Sequence, residues 1–412
     1  SYAVLPVFIL SAFLYFYAGF ADGLLLAIED GLHYFYPMLS MVSGQYREGV
    51  LPLWNSRVFS GFPLMAAMQP GVFYPFVVLH IFLPPALAYN LDVLIHIALA
   101  GYFVFLYARK TGADIIPSFI AGLSFAFLGY LTPHIMHLSI LRTAVWLPLV
   151  LYFLEGLRQD GKLKYALAAS LTIAVQVFAG HPQICLYSYL VVFIYIANHI
   201  FGLPAGRRLS FVSYSALSIF LGLAMSSPQL YATYELYTLG IRPEMDYGTF
   251  TDYAFPLKGI SSFFFPVING KEAYIGHLAL ITAIIAVMSD RKNPHVRFMG
   301  LVAAVSLALA LGLLDGALFH LPLYNKFRGS SKHLFEYGMA VSVLYAYGIS
   351  YIAKTGHKRL AAAISLLISV IFVSTLWFAS SGRISEPGAY IALISMLLCL
   401  TALCMIFVLR RP

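Results

Sequence analysis

The sequence predicts an all-α polytopic membrane protein with about twelve transmembrane helices, and three observations predict it. The 412 residues are 61% hydrophobic and only 10% charged. A water-soluble chain this apolar could not cover its own core, so the excess apolar surface needs lipid as its solvent. Apolar runs of bilayer length recur along the whole chain, and basic residues gather in every second connection between them.

The runs are Tyr2–Ala21, Ala86–Ala108, Ile115–Leu131, Leu141–Leu157, Leu163–Ala179, Gln183–Phe201, Phe211–Leu236, Tyr274–Met288, Phe298–Leu314, Leu334–Ala353, Leu360–Phe378 and Ala389–Leu409. Asp22 follows the first run where a signal peptide would carry a small-residue cleavage site, so that run reads as a retained helix. Gly71–Leu83 is too short to span and reads as a re-entrant or interfacial segment. Pro228 falls inside the seventh run and should kink it.

With the N-terminus inside, the short inner connections hold Arg109, Lys110, Arg158, Lys162, Lys164, Arg207, Arg208, Arg291, Lys292, Arg297, Lys354, Lys358, Arg359, Arg410 and Arg411, which is 15 of the 25 basic residues. The positive-inside rule then places both termini in the cytoplasm. Topology absorbs most of the +8 net charge, and no nucleic acid is called for. Of 17 carboxylates, only Asp114, Glu155, Asp160 and Asp290 fall inside; the other 13 lie toward the outer face. The orientation rule does not require that asymmetry, so it points to chemistry outside. The cysteines Cys185, Cys399 and Cys404 sit in apolar runs without motif spacing and read as small buried hydrophobes.

The chain reads as one domain, 1–412, with three elaborated outer segments: a first loop 22–85, a second loop 240–273 and a basic segment 315–333. Long loops of this kind are usually functional. The first loop opens with Asp22, Glu29, Asp30 and His33. Carboxylates at a membrane boundary can serve as general bases, and the same group leaves a divalent cation open as a ligand. Glu29 and Asp30 are neighbours and cannot point the same way unless the loop bends. Pro and Gly recur through Tyr36-Pro37, Leu51-Pro52-Leu53-Trp54-Asn55, Gly61-Phe62-Pro63, Gln69-Pro70-Gly71 and Tyr74-Pro75, which favours turns and short interfacial helices.

Further candidates stand near outer helix ends. His134 and His137 are three apart and read first as interfacial histidines bonded to neighbours. Gly180-His181-Pro182-Gln183 reads as a tight outer turn. Glu235 is an ionisable group at membrane depth, and Arg242 is its nearest candidate ion-pair partner. The segment Asn325-Lys326-Phe327-Arg328-Gly329-Ser330-Ser331-Lys332-His333 puts three cations at the mouth of the tenth run. Such a site suits a substrate phosphate or an ordinary phospholipid headgroup.

Taken together, these pieces resemble the YfhO-type bacterial membrane proteins, which are grouped with the GT-C glycosyltransferases. The resemblance rests on Asp30 with Tyr36-Pro37; Leu51-Pro52-Leu53-Trp54-Asn55; Gly61-Phe62-Pro63-Leu64; Gln69 through Pro75; Gly180 through Gln183; Pro228-Gln229 with Glu235 and Arg242; Phe265-Pro266 with Tyr274-Ile275-Gly276; and Phe327-Arg328 with Lys332. It implies a GT-C-like fold and a transferase in the cytoplasmic membrane of a prokaryote. That enzyme would take a sugar from a polyprenyl-phosphate donor to a glycan, lipid or protein acceptor on the extracytoplasmic face. By the same resemblance Asp30 is the catalytic base with Glu29 beside it, Arg328 and Lys332 meet the donor phosphate, and His33, Gln69, His181, Gln183, Glu235, Arg242 and Tyr274 contact substrate. Lys332 stands where the family pattern leads one to expect a second Arg. Two other readings compete: a transporter or flippase of lipid-linked substrates, and a non-catalytic subunit of a membrane assembly.

Overall fold

The computed structural model describes residues 2–240, 245–263 and 273–355. The last two apolar runs, Leu360–Phe378 and Ala389–Leu409, lie outside them, as do Cys399 and Cys404. Among the described residues the chain is all-α, and its one extended pairing is an isolated bridge between Asn55 and Phe62. The helices are α1 (Leu5–Tyr15), α2 (Tyr17–Ala21), α3 (Tyr36–Arg47), α4 (Val77–Phe82), α5 (Pro85–Lys110), α6 (Ile115–Ala126), α7 (Leu138–Ala144), α8 (Leu147–Asp160), α9 (Leu163–Phe178), α10 (Pro182–Ile200), α11 (Ala205–Met225), α12 (Ser227–Thr238), α13 (Tyr247–Thr251), α14 (His277–Ser289), α15 (Pro294–Ala310), α16 (Asp315–Leu318) and α17 (Leu334–Thr355).

Proline stands in the first turn of α1, α3, α5, α8, α10, α12 and α15. There its missing N–H would have had no partner in any case, so it sets where a helix begins. This rule divides two of the expected runs into separate helices. Leu141–Leu157 is not one helix: α7 stops at Ala144 and α8 starts at Leu147, with Pro148 in its first turn. Phe211–Leu236 breaks at Ser226, ahead of Pro228, where the kink was expected; its first half begins earlier, at Ala205. Tyr2–Ala21 also breaks, at Phe16 and without a proline. The run Ile115–Leu131 also ends early as helix, at Ala126.

Four helical stretches are long and apolar enough to cross a membrane among the described residues: α5, the α7–α8 pair, α10 and α11. The outward faces suit lipid as the solvent. On α9, Leu163, Leu167 and Leu171 recur every four residues and are 43%, 47% and 60% exposed. A stripe of that kind would be costly in water and is ordinary in a bilayer. Cys185 is buried with a free thiol, as its apolar setting predicts.

α5 is the central element, packed by α1, α6, α7 and α8 along its length, while α17 packs on α6, α14 and α15 and α9 joins α8 to α11. The first loop is more helical than its proline content suggested. A π-helical turn, Gly31–Phe35, runs straight into α3, and α4 forms within the stretch read as re-entrant.

One buried polar network locks this loop to the bundle. Asp92 on α5 is fully buried and forms an ion pair with Arg142 on α7, itself 1% exposed. His80 on α4 reaches the same carboxylate at 2.8 Å. His96, one turn along α5, places Nδ1 2.8 Å from Asp92 Oδ1 and Nε2 2.5 Å from the Tyr74 hydroxyl. Trp146 Nε1 donates to that hydroxyl at 3.1 Å. A buried carboxylate is tolerable only when its oxygens are filled in this way. Removing one partner leaves the other charge uncompensated. Asp92→Ala should therefore cost about 3–5 kcal/mol, and Asp92→Ala combined with Arg142→Met should cost less than the sum of the single changes. Thermal unfolding in detergent checks this; strictly additive losses would contradict it.

Candidate functional site

Residues far apart in sequence converge on one cavity of about 1140 Å³. Its polar wall holds Asp30 and Gln69 from the first loop, Tyr130, His134 and His137 from the turn before α7, His181 and Gln183 from the start of α10, and Lys326, Arg328, Ser331 and Lys332 from the basic segment. Its apolar wall includes Leu230 and Leu236 of α12, Phe255 and Leu323.

Local chemistry places each group. Asn90 on α5 accepts from Leu26 N at 2.8 Å and donates to Leu24 O at 2.9 Å, pinning the loop before Asp30. The neighbouring Tyr89 donates to Ile135 O at 2.8 Å, holding the turn that carries His134 and His137. Gly31 lets these segments close on each other: a Cβ there would sit 2.7 Å from the Tyr89 hydroxyl and 3.3 Å from Met136 Cα. Glu29 takes a left-handed φ of 45°. The loop does bend here, yet the two carboxylates do not share the cavity: Asp30 lines it and Glu29 does not.

Asp30 is 64% exposed on its side chain, and its Oδ2 lies 3.2 Å from His137 Nε2. Burial lowers the His137 pKa, with Asp30 opposing that shift. Burial likewise pushes His134 down to about 3, with His137 and Lys332 adding to the effect. His134 stacks on Tyr130 with ring centroids 4.1 Å apart and bonds to the Tyr130 carbonyl. His181 is driven well below the ordinary imidazole range, first by burial and then by Lys332, His134 and His137. The three imidazoles are thus neutral donors and acceptors between one carboxylate and a cationic turn.

His181 caps α10, its Nδ1 accepting from Ile184 N at 3.3 Å. Gly180 ahead of it has φ +103°, and a Cβ there would lie 2.6 Å from Met68 O, so this turn rests directly on the backbone before Gln69. Gln183 holds the basic segment in place: its Nε2 donates to Tyr187 Oη and to Arg328 O, each at 2.8 Å. Lys332 Nζ also donates to Arg328 O, at 3.3 Å, and the Arg328 guanidinium lies 5.4 Å from the Tyr253 ring centre. Beneath the cations His333 is fully buried, stacked on Tyr187 at 3.6 Å and bonded to Tyr324 and Glu336. That anchor gives the basic turn a fixed position.

Of the expected site residues, Asp30, Gln69, His181, Gln183, Arg328 and Lys332 meet at the cavity. Glu29, His33 and Glu235 are exposed and do not line it. Tyr274 is also absent from its walls, and the Tyr274 carbonyl instead accepts from Gly129 N at 2.8 Å. Arg242 lies outside the described residues. His134 and His137 are bonded to neighbours, as read, and they also line the cavity. Their three-residue spacing was visible, but their carboxylate partner lies about a hundred residues earlier in the chain.

The arrangement suits an amphiphile with an anionic group on Arg328 and Lys332, a polar part before Asp30 and an apolar part along α12. No protein-family model matches the chain, and no curated protein matches it.

His134, held near 3, gains its proton only on unfolding, where the ordinary value is 6.5. Between these values the unfolded chain binds more protons, so stability is full above 6.5 and falls as pH drops toward 3. Melting temperature measured across that range should fall less steeply for His134→Asn than for the native chain; identical slopes would contradict the shift.

Proposed function

We propose that this protein is a membrane glycosyltransferase that moves a sugar from a polyprenyl-phosphate donor to a hydroxyl of a glycan, lipid or protein acceptor. The observation that carries the reading is that Asp30 and Arg328, about 300 residues apart, line one cavity. The resemblance to YfhO-type proteins and the GT-C fold supports it, and so does the distribution of charge. In this reading the chain has about twelve spans, both termini are cytoplasmic, and the cavity opens on the extracytoplasmic face of a prokaryotic inner membrane.

The chemistry asks little of the protein. A lipid phosphate is already a good leaving group, so no strong general acid is required. Arg328 and Lys332 take up the negative charge as the glycosidic bond breaks. Asp30 removes the acceptor proton, while His137 holds one carboxylate oxygen and leaves the other for the acceptor. Attack from the face opposite the phosphate inverts the anomeric centre in a single displacement.

A transporter draws support from one observation, the Asp92–Arg142 pair buried between helices of the bundle. That pair is closed on every side by His80, His96 and Tyr74 and does not line the cavity. It has the form of a structural lock, and the balance favours surface chemistry.

Transfer from a polyprenyl-phosphate sugar, assayed with purified full chain, tests the proposal. Asp30→Asn should lower turnover by about 10²–10⁴-fold, and Arg328→Ala by about 10²–10³-fold. Both side chains are exposed, so melting temperature should stay unchanged. Glu29→Gln should remain active. Full activity in Asp30→Asn, or equal loss in Glu29→Gln, would overturn the assignment of the base.

A further inference from the structure

A second cluster of ligating side chains lies at the far end of α10, away from the cavity. His181 caps the start of this helix and His199 closes it, about 27 Å further along at 1.5 Å per residue. Glu155 of α8, His199 of α10 and His295 of α15 meet there, at 0%, 2% and 6% exposure. One ligand atom from each lies within 4.8 Å of the other two.

Two features distinguish this group from an ordinary buried ion pair. His199 Nδ1 lies 2.9 Å from the Tyr195 carbonyl, which fixes its proton on Nδ1. The Asn198 amide approaches the same nitrogen at 3.4 Å but also donates to Pro294 O at 3.2 Å. His199 Nε2 is left as a buried lone pair with no hydrogen-bond partner. His295 differs: its Nε2 faces Glu155 Oε1 at 3.7 Å, beyond hydrogen-bond reach, and its Nδ1 is buried without a partner. A buried nitrogen left unbonded is costly and calls for a ligand. An imidazole with Nδ1–H on a carbonyl and a bare Nε2 is the tautomer that metal ligation uses.

We propose that Glu155, His199 and His295 bind a divalent transition-metal ion that ties α8, α10 and α15 together at the end of the bundle opposite the cavity. Two imidazoles and a carboxylate suit zinc, with a fourth position left for water. Bonds of about 2.0–2.1 Å require the ligand atoms to close to about 3.4 Å, a small rotamer adjustment. Glu155 already accepts from Arg158 at 2.8 and 2.6 Å, from Tyr195 at 2.5 Å and from Gln159 at 2.6 Å. The first two orient the carboxylate as an anion. Gln159 is exposed and yields its place on Oε1 to the ion. Arg158 lies close enough to weaken binding, so the site is a moderate-affinity one.

Zinc titration of the purified, chelator-stripped full chain tests this, with metal content and melting temperature as readouts. One zinc per chain and a higher melting temperature are expected. His199→Gln and His295→Gln should each weaken zinc binding by about tenfold or more, while His134→Gln with His137→Gln at the cavity should retain it. Should the α10 and α15 variants fail to fold, X-ray absorption on the zinc-loaded native chain decides: two imidazole nitrogens at about 2.0–2.1 Å support the site. Absence of stoichiometric zinc in the native chain, or its loss in the cavity variant alone, would overturn it.

Discussion

Between α5 and α7 a carboxylate and a guanidinium face each other fully buried, and the architecture around the cavity depends on that contact. Asp92 belongs to the central helix; Arg142 belongs to the short helix that follows the His134–His137 turn. His80 and Tyr74, which complete the network, belong to the first long loop. One ion pair thus fixes three segments that share no local sequence. Neither charge could remain buried alone, and the loop closes the pair by placing His80 on the carboxylate and Tyr74 on His96. Asn90 and Tyr89, on the same helix and within three residues of Asp92, extend that control to the backbone carrying Asp30 and His137.

The opposite wall of the cavity is built by a separate device. Gln183 and the buried His333 hold the basic turn from below and leave the Arg328 head group exposed. The basic turn thus has a position set by packing beneath it. Between Asp30 and this turn stand imidazoles that burial keeps neutral.

The sequence made the helical membrane body legible because lipid exposure writes itself into composition. It also announced the Pro228 break. The break between α7 and α8 was equally announced by Pro148, yet an unbroken apolar run hides it from a count based on hydropathy. Asp92 and His96 were visible too, four residues apart within the run Ala86–Ala108, where ionisable groups signal a buried partner. What the sequence could not convey was pairing across distance: Asp30 with His137, Asp92 with Arg142, Gln183 with the Arg328 carbonyl. These depend on loop paths set by close backbone contacts at Gly31 and Gly180, and no periodicity records such paths. Glu235 drew attention by type and depth and Tyr274 by the family resemblance, and neither lines the cavity.

The central claim is that one cavity brings a lipid phosphate to Arg328 while its sugar faces Asp30. An experimental structure of the full chain with a non-transferable polyprenyl-phosphate sugar analogue tests this most directly. The account predicts the phosphate within hydrogen-bond reach of Arg328 or Lys332, the anomeric carbon toward Asp30 and His137, and the prenyl chain along α12. An analogue bound elsewhere, or a phosphate seated away from both cations, would contradict it.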